Sequence, residues 1–379
     1  MSAPRRPAFI LFSTLLVLIV VMGLTAVRPE AAPVTYTLVV DEMRDLGVLS
    51  RFQSSEAHAI NSSGSIAGSG ENELGTRRAM FWSTPTTTPI SLGHLGGGWS
   101  EAWGINDAAA VVGNSRATPS EESRAFKWTQ ATGMIDLGLV GIEPSENSAP
   151  TTFSRAHDIN NNGAIVGDLG NQWWTSGYWL SWSFALVPSC SESVLTATTN
   201  AINDNDTFTG NVFCAGGPSG APYVGSLWST VLLPGQMSGD DEGYAINDSG
   251  VAAGSMIAFP SSGGAAVHAF RWTSSSGVKD IHTPDDGASS VARGINSKGL
   301  IVGYRYTSAS KRAFVYGQGI QMRTLPGLCS SGSYTSNSAA YAVNDNGWVV
   351  GTSANCGGHY HATLWKVRVV PVLLSPSQP

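Results

Sequence analysis

Seven copies of one segment run through the chain, most fully written at Ala339 to Gly351. In each copy an Asn follows an aliphatic residue: Asn61, Asn106, Asn160, Asn203, Asn247, Asn296 and Asn344, preceded by Ile six times and by Val343 in the last. Seven residues further on every copy carries Gly: Gly68, Gly113, Gly167, Gly210, Gly254, Gly303 and Gly351. Successive copies lie 43 to 54 residues apart. A period of that size marks a solenoid, propeller or array, because each unit can bury its apolar face only against its neighbours.

Each unit reads as four short strands. The first ends at Ile-Asn, as in Ala102-Trp103-Gly104-Ile105-Asn106. A four-residue turn follows, Asn-Asp-x-Gly in Asn247 to Gly250 and Asn344 to Gly347. Asn suits its first position, where the side chain bonds the backbone ahead, and Gly suits its last. A second strand such as Val349-Val350-Gly351 comes next, then a third ending in an aromatic residue, as in Ala125 to Trp128, Ala269 to Trp272 and Ala313 to Tyr316. The fourth is a short apolar run like Gly133 to Gly138. Between Val34 and Pro379 no useful stretch has helical periodicity. The expected class is therefore all-β: a seven-bladed β-propeller of four-stranded blades over residues 34–368, with an open solenoid as the alternative.

Blade seven has a third strand at Ala362 to Trp365 but no good fourth, while an unassigned strand, Met43 to Leu49, precedes the first copy and resembles Ile135 to Leu139. The N-terminal strand is expected to complete the last blade and so hide two strand edges. Val369 to Leu374, within a tail of residues 369–379, is the rival. Gly inside a strand signals close backbone approach, which places the Val-Val-Gly strand nearest the axis. The repeated Trp82, Trp128, Trp179, Trp228, Trp272 and Trp365 read as space-fillers between blades.

Residues 1–33 hold Arg5 and Arg6 and then an uncharged run from Ala8 to Val27. This pattern is that of a cleaved export signal or an uncleaved membrane anchor. Both put the remainder outside the cytoplasm, so that it is extracellular, periplasmic or anchored on the outer side of the membrane, with this segment its only membrane contact. Cysteines in an exported chain suggest disulfides, and matching positions in two repeats predict Cys190–Cys214 and Cys329–Cys356. Net charge is -6 and no Lys/Arg block exceeds two residues, which excludes a face that tracks nucleic-acid phosphates.

Catalytic signatures are absent: no Gly-x-Ser-x-Gly elbow, Gly-Lys phosphate loop or His-Glu-x-x-His. His359 and His361 could suggest a metal, but His361 fills the repeat slot held elsewhere by His268, Arg78, Arg124 and Arg312. Asn203 to Asp206 could suggest calcium, but the turn already accounts for Asp204, Asp248 and Asp345. No catalytic residue, metal or cofactor is expected. One column varies while its surroundings stay small or aliphatic: three residues before each Asn stand His58, Trp103, His157, Asn200, Tyr244, Arg293 and Tyr341. In a closed ring these would form a circle of differing side chains able to shape a ligand pocket. The column also shares a strand face with the core Ile, which favours filler between blades. Trp173 and Trp174, beside Asn171 and Gln172, are a second ligand candidate: they either stack on a sugar or partner surface or cover a neighbouring strand.

His268-Ala269-Phe270 before Trp272, Asp45-Leu46-Gly47-Val48-Leu49 and Leu92-Gly93-His94-Leu95-Gly96-Gly97, together with the Ile-Asn and Val-Val-Gly elements, resemble the unit of bacterial extracellular HAF-repeat proteins over residues 35–366. The resemblance implies an exported, propeller-like protein with no assigned activity and no catalytic residues to carry over. Ala109 and Asp206 at the turn Gly, Tyr316 for Trp and Leu364 for Phe depart from the pattern, so their blades should be less regular. The expected function is that of a non-enzymatic, monomeric surface module that binds an extracellular glycan or protein or serves structurally. The alternative is a carbohydrate-active hydrolase or lyase. A His paired with a carboxylate, or two carboxylates, in a deep cleft would favour the enzyme.

Overall fold

The computed structural model describes residues 35–120, 122–139, 152–170, 174–180, 183–186, 194–214, 220–226, 229–233, 241–259, 264–283, 289–307, 310–317, 319–329 and 337–372, with the stretches 174–180, 183–186 and 194–196 and residue 214 as backbone only. Trp173, Trp228 and Cys190 lie outside these residues, as does the apolar N-terminal segment. The described strands form seven four-stranded antiparallel sheets. Six are meanders in chain order, beginning with Ser54–Ile60, Ile66–Glu71, Arg77–Trp82 and Ile90–Ser91. The architecture is a β-propeller of four-stranded blades.

The turn that starts each blade has a strict backbone requirement. Its fourth residue takes positive φ in the glycine copies, from +71° at Gly250 to +90° at Gly64. Ala109 at 57° and Asp206 at 55° are forced into the same left-handed region, where a Cβ is strained. This is the physical content of the two departures at the turn Gly.

The repeated Asn does more than shape its turn. Its Oδ1 accepts the N–H four residues on, as from Ser65 at 2.8 Å to Asn61 and from Trp348 at 3.1 Å to Asn344. Its Nδ2 reaches the next blade and donates to the backbone carbonyl of the next Asn. The chain of bonds runs Asn61 to Asn106, Asn160, Asn203, Asn247, Asn296 and Asn344, at 2.9 to 3.1 Å. Asn344 then donates to Asn61 at 3.0 Å. The circuit is closed, which rules out an open solenoid. A second set of links uses the following residue: the N–H of Ser62, Asp107, Asn161, Asp204 and Ser297 meets the side chain of Asp107, Asn161, Asp204, Asp248 and Asp345.

Apolar burial follows the same circle. Each hydrophobic cluster mixes residues of two adjacent blades, and the cluster of Leu46, Ala57, Ile66, Met80, Trp82, Val350, Ala362 and Leu364 joins the last blade to the first. Trp82, Trp128, Trp272 and Trp365 are buried in such seams, and Trp82 Nε1 donates to the Leu46 carbonyl at 2.8 Å. They fill space between blades, as their spacing implied.

The last blade is completed by the N-terminus. Strand Thr35–Asp45 pairs antiparallel with Tyr360–Val372, from Thr35 opposite Val372 to Asp45 opposite Thr363. The strand begins well before Met43, and residues 369–372, placed above in the tail, continue the third strand opposite Thr35 to Leu38. His361 Nδ1 meets Asp45 Oδ2 at 2.8 Å across this junction. His268 with Asp280 at 2.7 Å and Arg124 with Asp136 at 3.1 Å repeat the pairing in other blades, so His361 makes a contact that belongs to the repeat. Cys329 and Cys356 form a disulfide; of the other proposed pair, Cys190 lies outside the described residues and Cys214 is described as backbone only.

Candidate functional site

The strand nearest the axis is the one before the turn, not the Val-Val-Gly strand. Its residues line the central cavity in every blade represented there. The invariant Gly sits one strand further out, and its role is local. In every blade the inner strand carries a β-bulge where it pairs with the glycine strand: between Ala57 and Ala59, Ala102 and Gly104, Ala156 and Asp158, Thr199 and Ala201, Gly243 and Ala245, Ala292 and Gly294, and Ala340 and Ala342. A Cβ on the facing Gly would lie 1.9 to 2.0 Å from a carbonyl oxygen of the bulged strand, that of Glu56 for Gly68 and Ala339 for Gly351. The glycine permits the bulge.

The extra residue in each bulge is a member of the variable column: His58, Trp103, His157, Asn200, Tyr244, Arg293 or Tyr341. A bulge breaks the two-residue alternation and re-aims the side chain it inserts. Pleat alternation alone placed these residues with the filler. With the bulge, all seven line one axial cavity of about 630 Å³, within the size range of small-molecule pockets. Of the other ligand candidates, Trp174 begins a strand described as backbone only.

The ring residues are held by specific partners. His58 stacks on Trp103 with ring centroids 4.3 Å apart and planes 9° from parallel. Its Nδ1 lies 2.7 Å from the Ala102 carbonyl and its Nε2 3.1 Å from Glu56 Oε2. Trp103 Nε1 donates to Asn114 Oδ1 at 2.7 Å. His157 Nε2 lies 2.7 Å from Asp168 Oδ1, and its Nδ1 3.0 Å from the Thr199 carbonyl. Asn200 Nδ2 donates to Glu242 Oε1 at 2.7 Å and to the Gly243 carbonyl at 2.9 Å. Arg293 lies over the Tyr244 ring, 4.1 Å from its centroid, and 5.9 Å from that of Tyr341.

Two further columns support the ring, and sequence reasoning passed over both. The residue after the invariant Gly includes Asn114, Asp168 and Tyr304; the first two hold ring members and the third lines the cavity. Variation directly beside an invariant Gly was the available signal. The second column, two residues before the Asn, reads Ala59, Gly104, Asp158, Ala201, Ala245, Gly294, Ala342. A single carboxylate among Ala and Gly should have stood out. Asp158 lines the cavity and accepts the N–H of Ile159 at 2.9 Å and of Ile202, in the next blade, at 3.0 Å.

Burial sets the electrostatics. It pushes Asp158 up to about 6, against those two N–H bonds and nearby His157. Glu56 is driven the other way: burial works to raise it, but the bond to His58 and the charges of His58 and Arg77 outweigh burial and hold it at about 2. For His157 burial works downward, and Asp168, by charge and hydrogen bond, prevails and raises its pKa. Burial raises Tyr244, Tyr304 and Tyr341, leaving their hydroxyls as proton donors. Arg77 joins Glu56 at 3.1 Å, Glu71 at 3.6 Å and Glu101. Among the described residues no cluster of three His, Cys, Asp or Glu could hold a metal, and no helix is long and apolar enough to cross a membrane.

No family model matches the chain, and no curated protein matches it. Solved structures do. The propeller domain of the Trilobed protease from Pyrococcus furiosus, described as having an open velcro topology, is similar over 84% of this chain and 96% of that one, with a TM-score of 0.53 and 7% identity. A puromycin hydrolase is similar at a TM-score of 0.53 and 10% identity, over 87% of this chain and 56% of its own. A puromycin-hydrolyzing peptidase of Mycobacterium tuberculosis is similar at 0.52 and 9%, over 87% and 54%. The chain thus spans little more than half the length of the latter two. At these identities the likeness is one of fold: the chain is a β-propeller.

Proposed function

We propose that the chain is an exported, seven-bladed propeller of the HAF-repeat type that binds a small polar ligand in its axial cavity. One observation carries this reading: seven bulges turn side chains of five kinds onto one cavity, while the Asn that closes the ring and the Gly that permits each bulge repeat in all seven copies. Structural filler would not need a bulge in each blade, nor partners such as Asn114 and Asp168 to fix the orientation of what it exposes. HAF-repeat membership rests on His268-Ala269-Phe270 and the Asp-Leu-Gly elements; the location outside the cytoplasm rests on Arg5, Arg6 and the apolar run after them.

The enzyme reading has one observation in its favour. His157 with Asp168, His58 with Glu56 and the raised carboxyl of Asp158 share the cavity wall. Against it, both imidazoles are fully engaged: each has one ring nitrogen on a backbone carbonyl and the other on a carboxylate. Such rings orient and donate; they do not offer a free base.

Quenching of Trp103 fluorescence by a panel of mono- and oligosaccharides tests the reading. Saturable quenching that is lost in Trp103→Phe and weakened at least tenfold in Asn200→Ala supports it. Quenching unchanged by Asn200→Ala and Tyr341→Ala would place any ligand elsewhere.

A further inference from the structure

Resting on that reading, we infer that the ligand is an anion, a carboxylate-bearing sugar acid in the simplest case, whose charged end is taken by Arg293 and Lys311. Both side chains line the cavity. Arg293 lies over Tyr244, and the Lys311 ammonium stands 4.9 Å from the centroid of Tyr304. Neither forms an ion pair with any described carboxylate. Arg77, which pairs with Glu56 behind the cavity lining, is by contrast neutralised by three carboxylates.

The carboxylates close to this corner are already committed. Glu56 serves His58 and Arg77. Glu242 accepts Asn200 Nδ2 and also bonds Tyr244. What remains facing the space between blades five, six and seven is a set of donors: a guanidinium, an ammonium and the hydroxyls of Tyr304 and Tyr341. Two like charges partly removed from water repel each other and lose hydration, a cost an anion between them would cancel. Burial and the neighbouring Arg293 lower the Lys311 pKa, against the pull of Glu56, consistent with a corner short of negative charge. A planar guanidinium lying on a tyrosine ring presents its N–H edge for a bidentate bond to a carboxylate.

The cavity volume of about 630 Å³ admits one or two sugar rings, so a free sugar acid and the end of an acidic oligosaccharide present the same chemistry. Titration of the full chain in chloride-free buffer, read by Trp103 fluorescence, uses D-glucuronate, D-glucose, a tetragalacturonide and its methyl ester. In parallel, amine labelling quantified by mass spectrometry reports Lys311 directly. The expected result is that an acid binds at least tenfold tighter than its neutral counterpart and slows Lys311 labelling at least fivefold. Arg293→Gln and Lys311→Gln should each remove that preference, while Arg293→Lys retains part of it. Preference for the monosaccharide or the tetramer identifies the source. Equal binding of acid and neutral forms, with Lys311 labelling unprotected, overturns the anion assignment and leaves the cavity reading standing. No quenching by any of the four, with labelling unchanged, overturns both. Since labelling is read on the unaltered protein, a variant that fails to fold does not remove the test.

Discussion

Two circles of seven residues lie three positions apart, one on the inner strands and one at the turns that end them, and they obey opposite rules. The Asn circle is identical in every blade, and its side chains are spent on the backbone: one bond within the turn, one to the next blade. The bulge circle is different in nearly every blade, and its side chains face a cavity. Uniformity is what a closed ring demands, because each Asn must offer the same reach to the same carbonyl. Once that ring is held, the neighbouring position is released from structural duty. Repetition thus builds the frame, and its local failure supplies the chemistry.

The sharpest way to break this contrast is at the glycine that lets the bulge exist. Gly351→Ala puts a Cβ about 2.0 Å from the Ala339 carbonyl oxygen and should cost at least about 3 kcal/mol or prevent folding. Gly357→Ala, where the closest neighbouring atom is 3.3 Å away, should stay within about 1 kcal/mol. Gly264 is no substitute control, since its φ of +87° strains any side chain. Equal losses in thermal melts would contradict the bulge account.

Asp158 is where the cavity intrudes on the frame. Its pKa is raised to about 6 from 3.8, so folding favours the protonated acid. That contribution is complete below about pH 4 and is lost as pH rises through 6, to a ceiling of about 3 kcal/mol at roughly 1.4 kcal/mol per pKa unit. Asp158→Asn should therefore gain on the wild type between pH 5 and pH 8. Melting temperatures that fall in parallel over that range would show that the carboxylate is not titrating there.

A direct comparison of the circles uses one blade. Asn106 is buried, with bonds to Ala110 and to the Asn160 carbonyl; Asn106→Ala should cost about 2 kcal/mol by leaving backbone groups unsatisfied. Trp103→Ala, three residues earlier, should cost less than half as much while abolishing ligand quenching. If chemical denaturation ranked them the other way, the bulge circle would be structural after all.

The smallest effect sits in the turn. Ala109→Gly relieves a φ of 57° and should stabilise by about 0.5–1 kcal/mol. Asp206→Gly should gain less, because Asp206 Oδ1 accepts a 2.7 Å bond from Asn160 in the preceding blade. A larger gain at Asp206 than at Ala109 would count against that compensation.

Much of the frame could be read from the chain. The Asn-to-Gly turn, the four strands per unit, the seam tryptophans, the completion of the last blade by an N-terminal strand and the Cys329–Cys356 pair all follow from local composition and repeat position. The variable column was visible too, because a repeat exposes by contrast whatever does not repeat. Its orientation was not: a bulge is a property of how two strands register, and Ala57-His58-Ala59 carries no mark of it. The invariant Gly was rightly read as close approach but attached to the wrong neighbour, since a missing Cβ does not say what would have touched it. Asn-to-Asn links between blades were equally hidden, as a side chain that shapes its own turn gives no hint of a second bond.

The pairing of Thr35–Asp45 with Tyr360–Val372 also governs when the molecule can come into being. The strand made first waits for the strand made last, more than three hundred residues later, and such distant contacts are slow to form. Until Tyr360–Val372 is made, the growing chain has an open circle with unpaired edges at both ends, a condition prone to aggregation. A product lacking either Thr35–Asp45 or Tyr360–Val372 would lose this clasp. The ring is therefore its own proofreader: it closes only once both of these strands are present.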